Sequence, residues 1–241
     1  MTDLVLEFYS EEIPARMQEQ AAEHLRESFS SGLIEERLSF KRLEAFSTPR
    51  RLVLVIWDLA DRSNSFFEEK RGPRIGAPTK ALSGFARSVG ADESELYRKK
   101  EKKGEFYFFR LEHSGYLAEE LVKKIAEKVT HTFPWQKSMR WGEGSFRWVR
   151  PLRSILCALY RENEEPRAIS LELNGVVASS FTFGHQSMYP DKFYPESAKD
   201  YISGLEDRKV ILDFKKRQKL IWESARKLAQ GKGAKLMEDH S

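Results

Sequence analysis

The stretch DLVLEFYSEEIPARM, residues 3–17, decides how the rest of the chain is read. Leu4, Leu6 and Phe8 alternate with their neighbours, the period of a half-buried strand. Pro14 then suits the first turn of a helix, and Glu11 and Glu12 suit the positive end of its dipole. Ile13, Met17, Ala21, Leu25, Phe29 and Leu33 follow at intervals of four. That stripe predicts an amphipathic helix running to about Glu36. FKRLEAF (40–46) and RLVLVIWDLA (51–60) read as two more strands joined by STPR. A β-α-β-β order implies an antiparallel sheet with a helix on one face, so the fold class is α+β.

Further along, SFFEEKRGPRIGAPT (65–79) reads as a loop, because Gly72, Pro73, Gly76 and Pro78 punctuate it. KALSGFARSVG (80–90) predicts a short helix. EKKGEFYFFRLE (101–112) predicts a turn at Lys103–Gly104 and an aromatic strand. Leu117, Leu121, Ile125 and Val129 mark a second amphipathic helix. Strand-like runs follow at SILCALY, RAISLEL and SSFTFGHQSM. SAKDYISGL and DFKKRQKLIWESARKLAQ predict helices. In the last, Phe214, Ile221, Ala225 and Leu228 share a side, Asp213 is the N-cap, and KKRQK forms the wet face. GKGAKLMED reads as the start of another strand. The expected organisation is residues 1–64 as the β-α-β-β part of an α+β domain, 65–190 as a central α+β region, and 191–241 as a helical segment. The sheets are expected to be mixed or antiparallel, with amphipathic helices packed on them.

The chain has 241 residues, enough for a proper core. No run approaches the roughly 18 apolar residues of a membrane span. The acidic N-terminus does not read as a signal peptide. A single cysteine, Cys157 inside SILCALY, excludes an internal disulfide and reads as a small buried apolar residue. These features point to the cytoplasm and to no membrane partner.

Net charge is +4, from 41 basic and 37 acidic residues. Five cations, Lys137, Arg140, Arg147, Arg150 and Arg153, stand against one acid, Glu143, inside WQKSMRWGEGSFRWVRPLR (135–153). Three tryptophans are interleaved with them. Arginine forks to phosphates and stacks on flat rings, and tryptophan stacks on bases. The same residue types also anchor cores and protein interfaces. Chemistry alone leaves RNA contact, internal structure and a protein interface open. Arg50 and Arg51 stand at a strand entry. Lys70, Arg71 and Arg74 lie in the glycine-rich segment, where freed backbone N–H groups suit an anion. No phosphate loop, dinucleotide fingerprint, zinc motif or nucleophile elbow is present. Glu11 and Glu12 diverge as neighbours and read as helix-start acids, not as a catalytic pair.

LVLEFYSEEIPARM, FSTPRRLVL, EKRGPRIGAPTKALSGFARSVG, WQKSMRWGEGSFRWVRPLRSILCAL and FGHQSM follow one another as in the β subunit of bacterial glycyl-tRNA synthetase. The resemblance covers nearly the whole chain, and its motifs are long. That family's β subunits continue into an HD-like domain and an anticodon-binding domain, so the resemblance implies an N-terminal portion. It implies an α2β2 enzyme that joins glycine to tRNA(Gly) with ATP and magnesium, with the adenylate-forming site on α. It implies that this portion binds no cofactor or metal, has no catalytic residue and is inactive alone. Its partners would be the α subunit and tRNA(Gly). Part of the region also resembles the editing-type domain of the phenylalanyl-tRNA synthetase β subunit, so an RNA-binding or editing-type module stays as the alternative. The contact candidates are Arg50, Arg51, Lys70, Arg71, Lys137, Arg140, Arg147, Arg150, Arg153 and His185.

Overall fold

The computed structural model describes residues 2–102 and 104–237, apart from the side chains of Phe66 and His113. In chain order the elements are β1 (Thr2–Ser10), α1 (Ala15–Glu35), β2 (Arg42–Thr48), β3 (Arg51–Leu59), β4 (Phe66–Arg74), α2 (Thr79–Val89), β5 (Tyr97–Glu101) and β6 (Gly104–His113). They continue with α3 (Ala118–His131), β7 (Leu152–Arg161), β8 (Arg167–Ala168), β9 (Glu172–Leu173), β10 (Val176–Ser179), β11 (Thr182–Phe183), β12 (Lys192–Phe193), α4 (Ala198–Asp207) and α5 (Phe214–Gly231). The fold is α+β with mixed and antiparallel sheets, as the sequence predicts. The chain divides into two compact units, one of Met1–Asp61 with Leu117–Ser241 and one of Arg62–Tyr116.

The larger unit is built on a sheet of order β2-β3-β1-β7-β10-β9, with β8 paired to β7. β1 runs antiparallel to both β3 and β7, and β10 runs parallel to β7. One sheet face carries Leu4, Leu6, Phe8, Leu54 and Cys157 against Leu25, Phe29 and Leu33 of α1 and Val122 and Ile125 of α3. The predicted α1 stripe is buried throughout. Gly32 lets α1 meet α3, since a Cβ there would fall 2.9 Å from Ile125 Cγ2.

The expectation of a half-buried β1 is corrected. Val5, Val55 and Leu156 on the opposite face pack against Ala198, Tyr201 and Leu205 of α4. The sheet is therefore covered on both sides, and β1 is buried from Leu4 to Tyr9. The reading of Glu11 is corrected too. α1 begins at Ala15 with Pro14 at its cap and no acid in its first turn. Glu11 is claimed instead by arginines.

The smaller unit is a three-stranded sheet of order β4-β6-β5 with α2. The segment read as a loop is strand β4, paired antiparallel to β6 from Phe66↔His113 onward. Gly72 and Pro73 do not end it. They coincide with a shift of register between Arg71 and Arg74. The turn predicted at Lys103–Gly104 falls partly on Lys103, outside the described residues. The strand expected from GKGAKLMED is not formed up to Met237, and its last two residues lie outside the described ones.

Candidate functional site

The tryptophan-rich segment is an anchored loop. Met139 and Trp148 exchange backbone hydrogen bonds of 2.8 and 3.2 Å, which close it. Trp148 is fully buried, and Trp135 and Trp141 pack against the same core. Trp148 lies 5.3 Å from Phe8 and 5.0 Å from Trp135, ring centre to ring centre. Offset and edge contacts of this kind hold a loop without regular structure. The cations stay at the surface. Lys137 and Arg140 are exposed, and Arg147 is exposed while bonding Ser138 Oγ at 3.1 Å. Arg150 is half-buried and donates to the Val149 carbonyl at 2.9 Å.

Arg50, Arg51, Arg150, Arg153 and His185 converge on one end of the large sheet. The STPR turn joins β2 to β3 there, and Ser10 N–H donates to the Arg50 carbonyl at 2.8 Å. Strand alternation then separates the two arginines. Arg50 turns outward, half-buried, with Nη2 3.0 Å from Glu11 Oε2 and Nη1 on Gln186. Arg153 reaches the other Glu11 oxygen, so one carboxylate ties the β2–β3 turn to β7. The Arg153 hydrogen bond, with the charge of Arg50, holds the Glu11 carboxyl below its ordinary range.

Arg51 turns inward. Its Nε lies 3.0 Å from Glu7 Oε2, and Nη2 donates to the Phe183 carbonyl and, at 3.1 Å, to that of Gly184. Tyr201 Oη donates to the same Glu7 oxygen at 2.6 Å, and Thr182 donates to the other. Burial, with Glu7 beside it, pushes the Tyr201 hydroxyl well up. This network pins the FGHQSM segment to the sheet. Gly184 is needed because a Cβ there would meet Tyr189 Cβ at 2.6 Å and Arg208 Cβ at 2.7 Å.

Two open clefts meet at this corner and share Glu12 and Pro49. One, of about 420 Å³, is lined by Arg50, Arg51, His185, Lys209 and Arg217, with Glu12 as its one carboxylate. The other, of about 670 Å³, carries Arg150 with Glu11 and Glu12. Lys209 and Arg217 were not singled out as site residues. Arg217 sits in KKRQK, read as a wet face, yet it is half-buried and donates to the carbonyls of Ser47 at 3.0 Å and Leu212 at 2.9 Å. The signal was out of reach, because the turn it binds lies 170 residues earlier.

Lys70 and Arg71 belong to the smaller unit, on β4. Arg71 pairs with Glu101 at 3.1 Å and lies 3.8 Å over the Phe106 ring. Lys70 is half-buried opposite Phe109. Among the described residues, no group of three His, Cys, Asp or Glu side chains is placed to hold a metal ion. No described helix is long and apolar enough to cross a membrane.

Fold and site together define a layered α+β unit whose sheet end presents arginines around an open cleft. The model of the family described as "Glycyl-tRNA synthetase beta subunit" matches residues 4–241, so the chain belongs to that family. It is 43% identical over 239 residues to the glycine–tRNA ligase beta subunit of Ruegeria sp. strain TM1040, covering 99% of this chain and 35% of that protein. The same protein of Paracoccus denitrificans is 42% identical, with 99% of this chain and 35% of the relative covered. That of Dinoroseobacter shibae is 40% identical, with 99% and 33% covered. The chain thus spans about a third of the length of these curated relatives.

Proposed function

We propose that this chain supports the ATP-dependent attachment of glycine to tRNA(Gly) as part of a glycyl-tRNA synthetase β subunit. It does so by contacting tRNA at the arginine corner and by assembling with the catalytic α subunit. On this reading ATP, magnesium and the adenylate chemistry belong to α. The observation that carries the tRNA half is the cleft where Arg50, Lys209, Arg217 and His185 gather with Glu12 as the lining carboxylate, while Glu11 pairs with Arg50 from outside the lining. Such a concave cationic surface suits a phosphate backbone, and arginine forks to phosphate oxygens. Arg51 contributes by placement, since it holds the His185 segment in position.

The test mixes the chain separately with purified α subunit and with tRNA(Gly) and measures both affinities. Both complexes are expected to form. ATP–pyrophosphate exchange should need α, and exchange by this chain alone would overturn the division of labour. Failure to bind tRNA at low salt would overturn the tRNA half. Failure to co-purify with α would overturn the assembly half.

A further inference from the structure

α5 is an 18-residue helix with no buried residue. Its first turn is well held. The Asp213 carboxylate accepts from Lys216 N–H at 3.1 Å, and Lys216 pairs with Glu206. Arg217 ties the helix to the carbonyls of Leu212 and Ser47. Along the helix, nevertheless, the large apolar side chains stand in solvent. Ile221 and Leu228 are 69% and 68% exposed, and Phe214 is 53% exposed. The spacing of Phe214, Ile221, Ala225 and Leu228 puts them on one helical face. Isolated helices are marginal in water, and their stability comes from packing an apolar face. A face of this kind, contiguous and rimmed by charge, marks an interaction surface.

We propose that this face of α5 docks an acidic amphipathic helix of a partner polypeptide. The proposal rests on the assembly half of the reading above. Charge selects the occupant. Within α5, Lys215, Lys216, Arg217, Lys219, Arg226 and Lys227 outnumber the single acid Glu223. Lys216 is paired with Glu206, Arg217 with carbonyls and Lys219 with Glu223, which leaves Lys215, Arg226 and Lys227 to meet a partner's acids. A second copy of this helix would bring cations against cations. An RNA backbone would neutralise the lysines and leave Ile221 and Leu228 in water. An apolar stripe flanked by glutamates covers the one and pairs the other, which is the helix-against-helix mode of peptide recognition. Trp222, 39% exposed beside the stripe, is the kind of ring that anchors such contacts.

The probe is a synthetic helical peptide with a leucine stripe and glutamates on its remaining positions, labelled for anisotropy. A control peptide carries lysine in place of every glutamate. The acidic peptide is expected to bind the chain and to slow amide exchange from Leu220 to Gln230. The lysine peptide should bind more weakly by about tenfold or more, since like charges face each other. Ile221→Asp combined with Leu228→Asp should abolish binding without altering the thermal melt, because both side chains are already in water. Equal binding of the two peptides, or binding of neither, would overturn the proposal. So would protection of α5 that appears with rising chain concentration alone, or on phosphatidylserine vesicles without peptide. If the peptide binds and the α subunit does not, the assembly reading fails and the α5 surface stands.

Discussion

Arg51 Nε lies 3.0 Å from Glu7 Oε2, and the two residues are 3% and 0% exposed. Arg50, the immediate neighbour of Arg51, turns to the opposite side, half-buried, and binds Glu11. One turn of the β2–β3 hairpin thus supplies both an internal strut and a surface cation. The strut links β1, β3, β11 and α4, because Thr182 and Tyr201 bond the same carboxylate. The surface cation gains its position from that rigidity.

Arg51→Ala should cost about 3–5 kcal/mol of unfolding free energy, since it leaves Glu7 buried without its counter-charge. Glu7→Gln in the same chain should recover part of that loss. Urea denaturation of the two single variants and the double variant measures the coupling. A coupling near zero would show that the two groups are independently solvated.

Glu11 makes the corner sensitive to acid. Its folded pKa lies below the ordinary 4.5, first through the Arg153 hydrogen bond and then through Arg50. Its contribution to stability is therefore complete above about pH 4.5 and is lost as pH falls through the lower folded value. Glu11→Gln should flatten that acid limb and leave the neutral-pH melt nearly unchanged, because the pair is partly solvated. Carboxyl carbon shifts of Glu11 followed against pH should give a midpoint below 4.5.

Periodicity made α1 legible, since its six stripe residues repeat at intervals of four and all are buried. The Asp213 cap was legible for the same local reason. β1 was misjudged because Leu4, Leu6 and Phe8 account for only one face. The cover on the other face, α4, starts almost two hundred residues later. Glu7 falls on the face that the Leu4, Leu6 and Phe8 alternation leaves aside, and only its distant partners Arg51, Thr182 and Tyr201 reveal it as buried. β4 was misread because glycine and proline signal turns locally, while its pairing with β6 is decided by residues some forty positions away. Arg50 and Arg51 were both visible as candidates. Adjacent strand residues face opposite ways, but nothing local says which of the two goes inward.

Trp148 should be the main anchor of the loop carrying Arg140 and Arg147. It is fully buried among Phe8, Phe133, Trp135 and Phe146. Trp148→Ala should cost about 3–5 kcal/mol, the range for deleting a large buried ring. Near-ultraviolet circular dichroism should lose most of its tryptophan signal with it. A melt unchanged by this substitution would show that the loop is held otherwise.

Cys157 is fully buried on β7, and burial pushes its thiol up to about 12. It should react with thiol reagents only on opening of the sheet, so its rate should rise with denaturant. Cys157→Ala should cost about 1 kcal/mol. Fast labelling in native buffer would contradict the placement of β7 in the core.

The most direct test of the arginine corner is the salt dependence of tRNA binding. Affinity of the chain for tRNA(Gly) is measured across a range of potassium chloride, beside a variant carrying Arg150→Glu and Lys209→Glu. Both side chains line the corner without belonging to the Glu7 network. The variant should melt like the parent, bind more weakly at every salt concentration, and lose about 1–2 units from the slope of log affinity against log salt, as fewer counterions are released. Parallel lines of equal slope would mean that no phosphate is met at this corner, and the account of the site would be wrong.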